Sequence, residues 1–189
     1  VSQPKQLGLF QGIDSVNIYE HFFWNFAIFY RKPWAWKVGL GGILPDILYM
    51  VAFIPKIFSY QSFMEWMADP LWDTIWNSPI AKSAHSFVVW AAISLGLLVV
   101  LEKEAWRRFF PFLLGWGLHV LFDALTHVSD GYAIFFPLGE YRFPAPVSYW
   151  ESGFHGRAYF LISHALMIAL SVLWVGSKLR RYYRGKNSI

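Results

Sequence analysis

No cysteine occurs in the 189-residue chain. That absence excludes disulfide frameworks, iron–sulfur clusters, thiolate zinc sites and cysteine nucleophiles, so any metal must be held by nitrogen and oxygen. Charge is also scarce. Asp, Glu, Lys and Arg make up 15% of the residues, against roughly 25% in ordinary soluble domains, which argues against disorder and against a fully water-solvated surface. What the chain has in excess is apolar and aromatic: 56% is hydrophobic, with 18 Phe, 11 Trp and 10 Tyr. This composition predicts a membrane protein.

The first twelve residues lack the basic start, apolar core and small-residue cleavage site of a secretory signal, and read as a short polar or interfacial arm. Four later stretches, 38–58, 85–101, 108–128 and 159–176, approach the roughly 20 helical residues needed to cross a bilayer. A fifth, 15–30, is aromatic-rich but carries Glu20, His21 and Asn25, so it is expected to be a helix buried among the others. Residues 59–78 alternate Trp, Met, Phe and Ile with Glu65, Asp69 and Asp73, the pattern of an amphipathic interfacial helix broken near Pro70. Residues 129–157 are rich in Pro, Gly and aromatics and form a structured outer loop, followed after the last span by a basic tail at 178–189. With no internal repeat and no low-complexity linker, the expected architecture is a single all-α integral membrane domain. It comprises a bundle of about five transmembrane or buried helices, an interfacial helix and a long outer loop.

The basic residues give the orientation. Eleven of the sixteen Lys and Arg residues (Arg31, Lys32, Lys37, Lys103, Arg107, Arg108 and those from Lys178 onward) lie on one side of that arrangement. The positive-inside rule assigns this side to the cytoplasm and turns the N-terminus and the long loop outward. The same distribution accounts for the net charge of +4 without nucleic acid, because the basic residues flank helix ends and form no single patch. Membrane lipids are the expected surroundings.

Three acids, Glu20, Asp46 and Asp123, fall inside apolar segments. A carboxylate at mid-bilayer costs about 2.5 to 3.5 kcal/mol even on the permissive insertion scale, so each needs a partner or a watery cavity. Histidines are the available partners. His119, Asp123 and His127 are spaced four and four, which places two imidazoles and a carboxylate within about 80° on one helical face. This ligand set suits a divalent metal such as zinc, with manganese or iron as alternatives; the other reading is a polar stripe hydrogen-bonded to neighbouring helices. Asp46 follows three glycines and Pro45 in GLGGILPD, where the helix is expected to weaken or kink, and it serves either as a ligand or as a cap of the second half. Counted at 1.5 Å per residue from the basic anchors, His21, Asp46 and His119 lie at similar depths of roughly 14 to 16 Å, with His85, Asp123 and His127 one to two turns further out. The candidate metal ligands are therefore His21, Asp46, His85, His119, Asp123 and His127. His164 could join this group or line its entrance, although a lone histidine on an apolar helix is more often a packing residue. His155, in SGFHGR, is read as a mobile ligand, a substrate contact or an exposed surface residue.

These pieces resemble a bacterial family of membrane-bound metal-dependent hydrolases, itself distantly similar to zinc-dependent phospholipase C. The resemblance rests on His21, the Gly-Gly-Ile-Leu-Pro-Asp element ending at Asp46, the His85-Ser86 pair, and His119-x-x-x-Asp123 followed by Thr126, His127 and Asp130-Gly131. The stretch FFPLGEYRFPAPVSYWE looks like a loop of some members. It implies a helical fold with a His and Asp metal centre in a bacterial inner membrane and hydrolysis of a phosphoester or lipid-like substrate. One or two ions would be bound. A bridging Asp46 or Asp123 would bring two ions about 3.5 to 4 Å apart. Asp46 and Asp123 would then be catalytic as well as ligating, with Asp130 or Glu151 available as acid or base from the loop, and Glu20 at best a support to His21. A competing reading is a non-catalytic accessory subunit of a larger membrane protein complex, favoured by the aromatic excess. A third, with the histidines as axial ligands to haem or chlorophyll, is disfavoured by the aspartates in the same layer.

Overall fold

A computed structural model describes residues 18–186, apart from 57, 63, 64, 67 and 68. The expected N-terminal arm and the last three residues of the basic tail lie outside the described residues. Among the described residues the protein is all-helical, with seven α-helices and no strand. In chain order these are α1 (Ile18–Ile28), α2 (Ala35–Met50), α3 (Leu71–Trp76), α4 (Pro79–Ala84), α5 (Phe87–Val100), α6 (Lys103–Thr126) and α7 (Gly156–Lys186). Two of them, over Lys103–Thr126 and Gly156–Arg184, are long and apolar enough to cross a membrane. α5 is as apolar but has 14 residues, and α2 has 16.

Several boundaries differ from the sequence expectation. The helix expected over 38–58 is α2 followed by a tighter 3-10 turn at Val51–Lys56, and Pro45 is accommodated inside a continuous α2. The interfacial helix expected over 59–78 is shorter where it is described. Pro70 starts α3, and Asp69 Oδ1 accepts the Leu71 N–H at 2.7 Å; residues 63, 64, 67 and 68 of that segment lie outside the described residues. The span expected at 85–101 begins at Phe87 because Ser86 caps it, its Oγ accepting from the N–H groups of Val88 and Val89 at 3.1 and 3.3 Å. α6 begins at Lys103, five residues before the expected 108, and ends at Thr126, which leaves His127 as a non-helical C-cap with φ −109° and ψ 108°. α7 runs through the basic tail to Lys186 instead of stopping at 176, since cations are favourable at a helix C-terminus.

The core is a three-helix contact of α1, α2 and α6 that depends on missing side chains. A Cβ on Gly41 would meet the Phe112 backbone oxygen at 2.1 Å, and one on Gly115 would meet the Val38 carbonyl oxygen at 2.0 Å. The backbones of α2 and α6 therefore touch, as small residues permit in helix pairs. Val38 lies against Gly115, and Gly42 lies against His119 four residues later, so α2 and α6 run parallel with their basic N-terminal ends together. Asn25 of α1 fills the space over Gly42 and donates to the Gly115 carbonyl at 3.3 Å. Large apolar side chains face outward on α5 and α7, among them Leu98, Val99, Ile168 and Leu173.

At the edge of the bundle, Lys56 Nζ, the Tyr60 hydroxyl and the Leu71 N–H all donate to the Asp69 carboxylate. Led by the Tyr60 bond, they lower its pKa from 3.8 to about 2. A depressed carboxylate pKa contributes stability above the unfolded-state value and loses it as the proton binds. The packing of Phe53, Trp66 and Trp72 around this turn is expected to loosen as pH falls from about 4 to about 2. Tryptophan fluorescence across that window, with Asp69→Asn already lacking the transition, checks this.

Candidate metal centre

The six residues expected to bind metal converge toward the C-terminal ends of α2 and α6. His21 comes from α1, Asp46 from α2, His85 from the junction between α4 and α5, and His119, Asp123 and His127 from α6 and its cap. His85, His119, Asp46, Asp123 and His127 are all buried, and His119 is 0% exposed.

Asp123 is the hub. Its Oδ1 lies 3.1 Å from His21 Nε2 and 3.6 Å from His127 Nε2, and its Oδ2 lies 3.2 Å from His119 Nε2 and 3.5 Å from His85 Nε2. Asp46 Oδ1 lies 3.5 Å from the Nε2 atoms of both His85 and His119. Two trios of donors, His21 with His119 and Asp123, and Asp46 with His85 and His119, each fall within 4.8 Å of one another.

The opposite edge of three of these imidazoles fixes their tautomers. His119 Nδ1 is 2.7 Å from the Gly42 carbonyl, His85 Nδ1 is 2.8 Å from the Ala81 carbonyl, and His127 Nδ1 is 2.9 Å from Asp130 Oδ2. A carbonyl or carboxylate oxygen only accepts, so each Nδ1 carries the hydrogen and each neutral ring turns an Nε2 lone pair toward the aspartates. Lone pairs then face carboxylate oxygens. His119 Nε2 and Asp123 Oδ1 are buried with no hydrogen-bond partner. Buried acceptors directed at buried acceptors are unfavourable unless a proton or a metal cation lies among them. Four imidazole nitrogens and two carboxylates, three of the rings held by an acceptor behind them, form a donor set that fits a divalent ion.

The remaining candidates are dispersed. Asp130 serves the site indirectly: its Oδ2 holds His127 Nδ1 and accepts the Trp150 indole N–H at 3.1 Å. Glu151 accepts the Ser129 N–H at 3.0 Å and thereby closes the loop. Ser86 caps α5 and donates to the Phe136 carbonyl at 2.5 Å. Glu20 turns away from the cluster toward α7, where Ser163, Tyr159 and His164 surround its carboxylate at 3.3 to 3.5 Å, and His164 in turn contacts the Tyr19 hydroxyl. His155 is exposed in the left-handed region with φ 66°.

Sequence reasoning missed the aromatic roof. Tyr132 stacks on His85 at 3.9 Å and on Trp76 at 4.4 Å, and Tyr149 meets His127 edge-on at 4.6 Å. Burial, with the nearby Asp123 and Asp46 charges, pushes the Tyr132 phenol well above 10, so it remains a hydrogen-bond donor. No periodicity marks these residues, because they sit in an irregular loop; the aromatic excess was the only trace of them.

Removing the Asp130 charge leaves His127 without its anchor. Such outer partners typically change metal affinity about 10- to 100-fold, and Asp130→Asn is expected to weaken binding within that range while leaving the fold intact. Metal titration of the chelator-stripped variant measures it.

Comparison of the chain with protein-family models, with curated proteins and with solved structures gave no match, so the centre is read from its own geometry.

Proposed function

We propose that this protein is a multi-pass membrane hydrolase that uses a His and Asp metal centre to cleave a phosphoester or lipid-like substrate. The observation that carries the reading is the set of Nε2 lone pairs turned on Asp46 and Asp123 in a buried site. The centre would hold one ion or two. An imidazole nitrogen has one lone pair, so His119 can serve only one of the two donor trios, whereas Asp123 offers a separate oxygen to each side. A single ion would be held by one of the two trios; a pair would need His127 beside His21 and Asp123 for one ion and His85, His119 and Asp46 for the other. Zinc is the metal best matched to this nitrogen-rich set, with manganese or iron as alternatives.

The chemistry such ions supply when bound is Lewis-acid polarisation and a nucleophilic water at neutral pH. The chain's own residues set the conditions for it. Gly42, Ala81 and Asp130 orient the imidazoles, and Tyr132 and Trp76 cover His85 and keep bulk water from it. The Tyr132 O–H, buried without a partner, is available to donate to a bound substrate oxygen. The parallel α2 and α6 with basic N-termini support a topology in which α1, α2, α5, α6 and α7 form the bundle, with α5, α6 and α7 crossing the bacterial inner membrane and the basic ends in the cytoplasm.

Elemental analysis of protein purified in bilayer discs, paired with phosphate-ester and phospholipid hydrolysis assays, tests the proposal. Between one and two divalent ions per chain, with metal-dependent hydrolysis, is the expected outcome. Metal-free protein with normal folding overturns it. Bound metal without hydrolysis, together with co-purification in fixed stoichiometry with a membrane complex, would replace it with the accessory-subunit reading.

A further inference from the structure

The Glu20 cluster ties the outer end of α7 to α1, and Trp24 adds an indole N–H to Ser163 Oγ at 3.2 Å. Between this clamp and the edge-on contact of Trp174 in α7 with Phe26 in α1 at 5.9 Å, a cleft of about 580 Å³ lies between α1, α6 and α7. That volume lies within the roughly 300 to 1,000 Å³ of small-molecule sites. Its polarity changes along its length. Thr126, Tyr149 and His155 line the loop end, Glu20 and His21 the middle, and Trp24, Ile28, Ile162 and Leu166 the inner end. His21 belongs both to this wall and to the metal centre, where its Nε2 faces Asp123. From His21 to Ile28 the apolar arm extends about 10 Å along α1.

The cleft is also open at its side. Ile162 is 61% exposed and Leu166 49% exposed, both on the helix that is apolar enough to cross a membrane. A water-soluble ester would find an apolar flank here. A molecule already in the bilayer would find a continuous path.

We propose that this cleft holds an alkyl chain of a bilayer lipid, entering sideways along α7, with the lipid's polar head at the His21 edge of the metal centre. The choice of a phosphoester head rests on the hydrolase reading above; the chain site rests on the cleft alone.

A phosphatidate with a diazirine on its acyl chain, carried in phosphatidylcholine discs, tests this by photolysis and mass mapping. Labelling is expected to concentrate several-fold on Trp24, Ile28, Ile162 and Leu166 relative to the outward apolar residues Leu98, Val99 and Val100 of α5. Ala158→Trp and Leu166→Trp put bulk into the cleft at exposed positions and are each expected to reduce its labelling to the α5 level. Equal labelling of both faces, or cleft labelling indifferent to both substitutions, overturns the proposal. Elemental analysis of the same samples keeps the two readings apart. His119→Ala should lose metal and retain the cleft label, and a labelled cleft in a metal-free wild type would sink the hydrolase and leave the lipid site standing.

Discussion

Asp123→Ala is expected to abolish metal binding, weakening it by more than the roughly 100-fold that marks the upper range for partners outside the ligand set. The reason is geometric. Its two oxygens are the only carboxylate atoms among the described residues that face all four imidazoles, Oδ1 toward His21 and His127 and Oδ2 toward His85 and His119. Asp46 Oδ1 lies 3.5 Å from both His85 and His119. If two ions are bound, Asp46→Ala should cost one and spare the other, giving a graded stoichiometry that a single-ion site would not show. Stability should follow. A ligand present at about 1,000 times its dissociation constant adds about 4 kcal/mol to the folded state, so a chelator should lower the melting temperature of the wild type and leave Asp123→Ala unmoved. Metal retained by Asp123→Ala at the wild-type level would dismiss the cluster as a proton-sharing polar core.

How much of this was readable beforehand follows from the nature of each signal. The His119, Asp123 and His127 spacing was legible because helical periodicity is local, although the cap at His127 was not: α6 ends at Thr126 and the imidazole returns to Asp123 from a non-helical backbone. His21, Asp46 and His85 could be grouped by depth alone, since buried charge in an apolar segment requires a partner. Asp130 was singled out but in another role. A residue three positions beyond His127 in a turn can reach its far nitrogen, and sequence gives no account of which edge of a ring it meets. Glu20 was legible as at best a support to His21, because adjacent helix positions diverge by about 100°; where that divergence takes it, to Ser163 of α7, was not. The unevenness of the α7 contact, clamped at Glu20 and Ser163 but open along Ile162 and Leu166, depends on tertiary packing that no pattern in the chain encodes.

Gly115→Ala should disable the centre without touching a ligand. The added Cβ would lie 2.0 Å from the Val38 carbonyl oxygen, and the obstacle is backbone, which cannot swing aside as a side-chain tip can. To restore an ordinary contact of 3.4 Å or more, α6 must move away from α2 by over an ångström. The His119 Nδ1 bond to the Gly42 carbonyl, now 2.7 Å, crosses the same gap and would break, releasing the ring from the orientation that turns Nε2 toward Asp46. Overpacking of this kind costs about 1 to 3 kcal/mol and a lost buried hydrogen bond about 1 more, so a destabilisation of about 3 kcal/mol is expected together with a loss of metal. Gly176→Ala is the matching control. Nothing lies within 4 Å of a Cβ there, and removing a glycine from the interior of α7 should stabilise it by up to about 1 kcal/mol. Detergent-unfolding curves and metal content of the two variants decide the matter: if Gly115→Ala binds metal as the wild type does, the close approach of α2 and α6 is not what holds Asp46 and His119 in register.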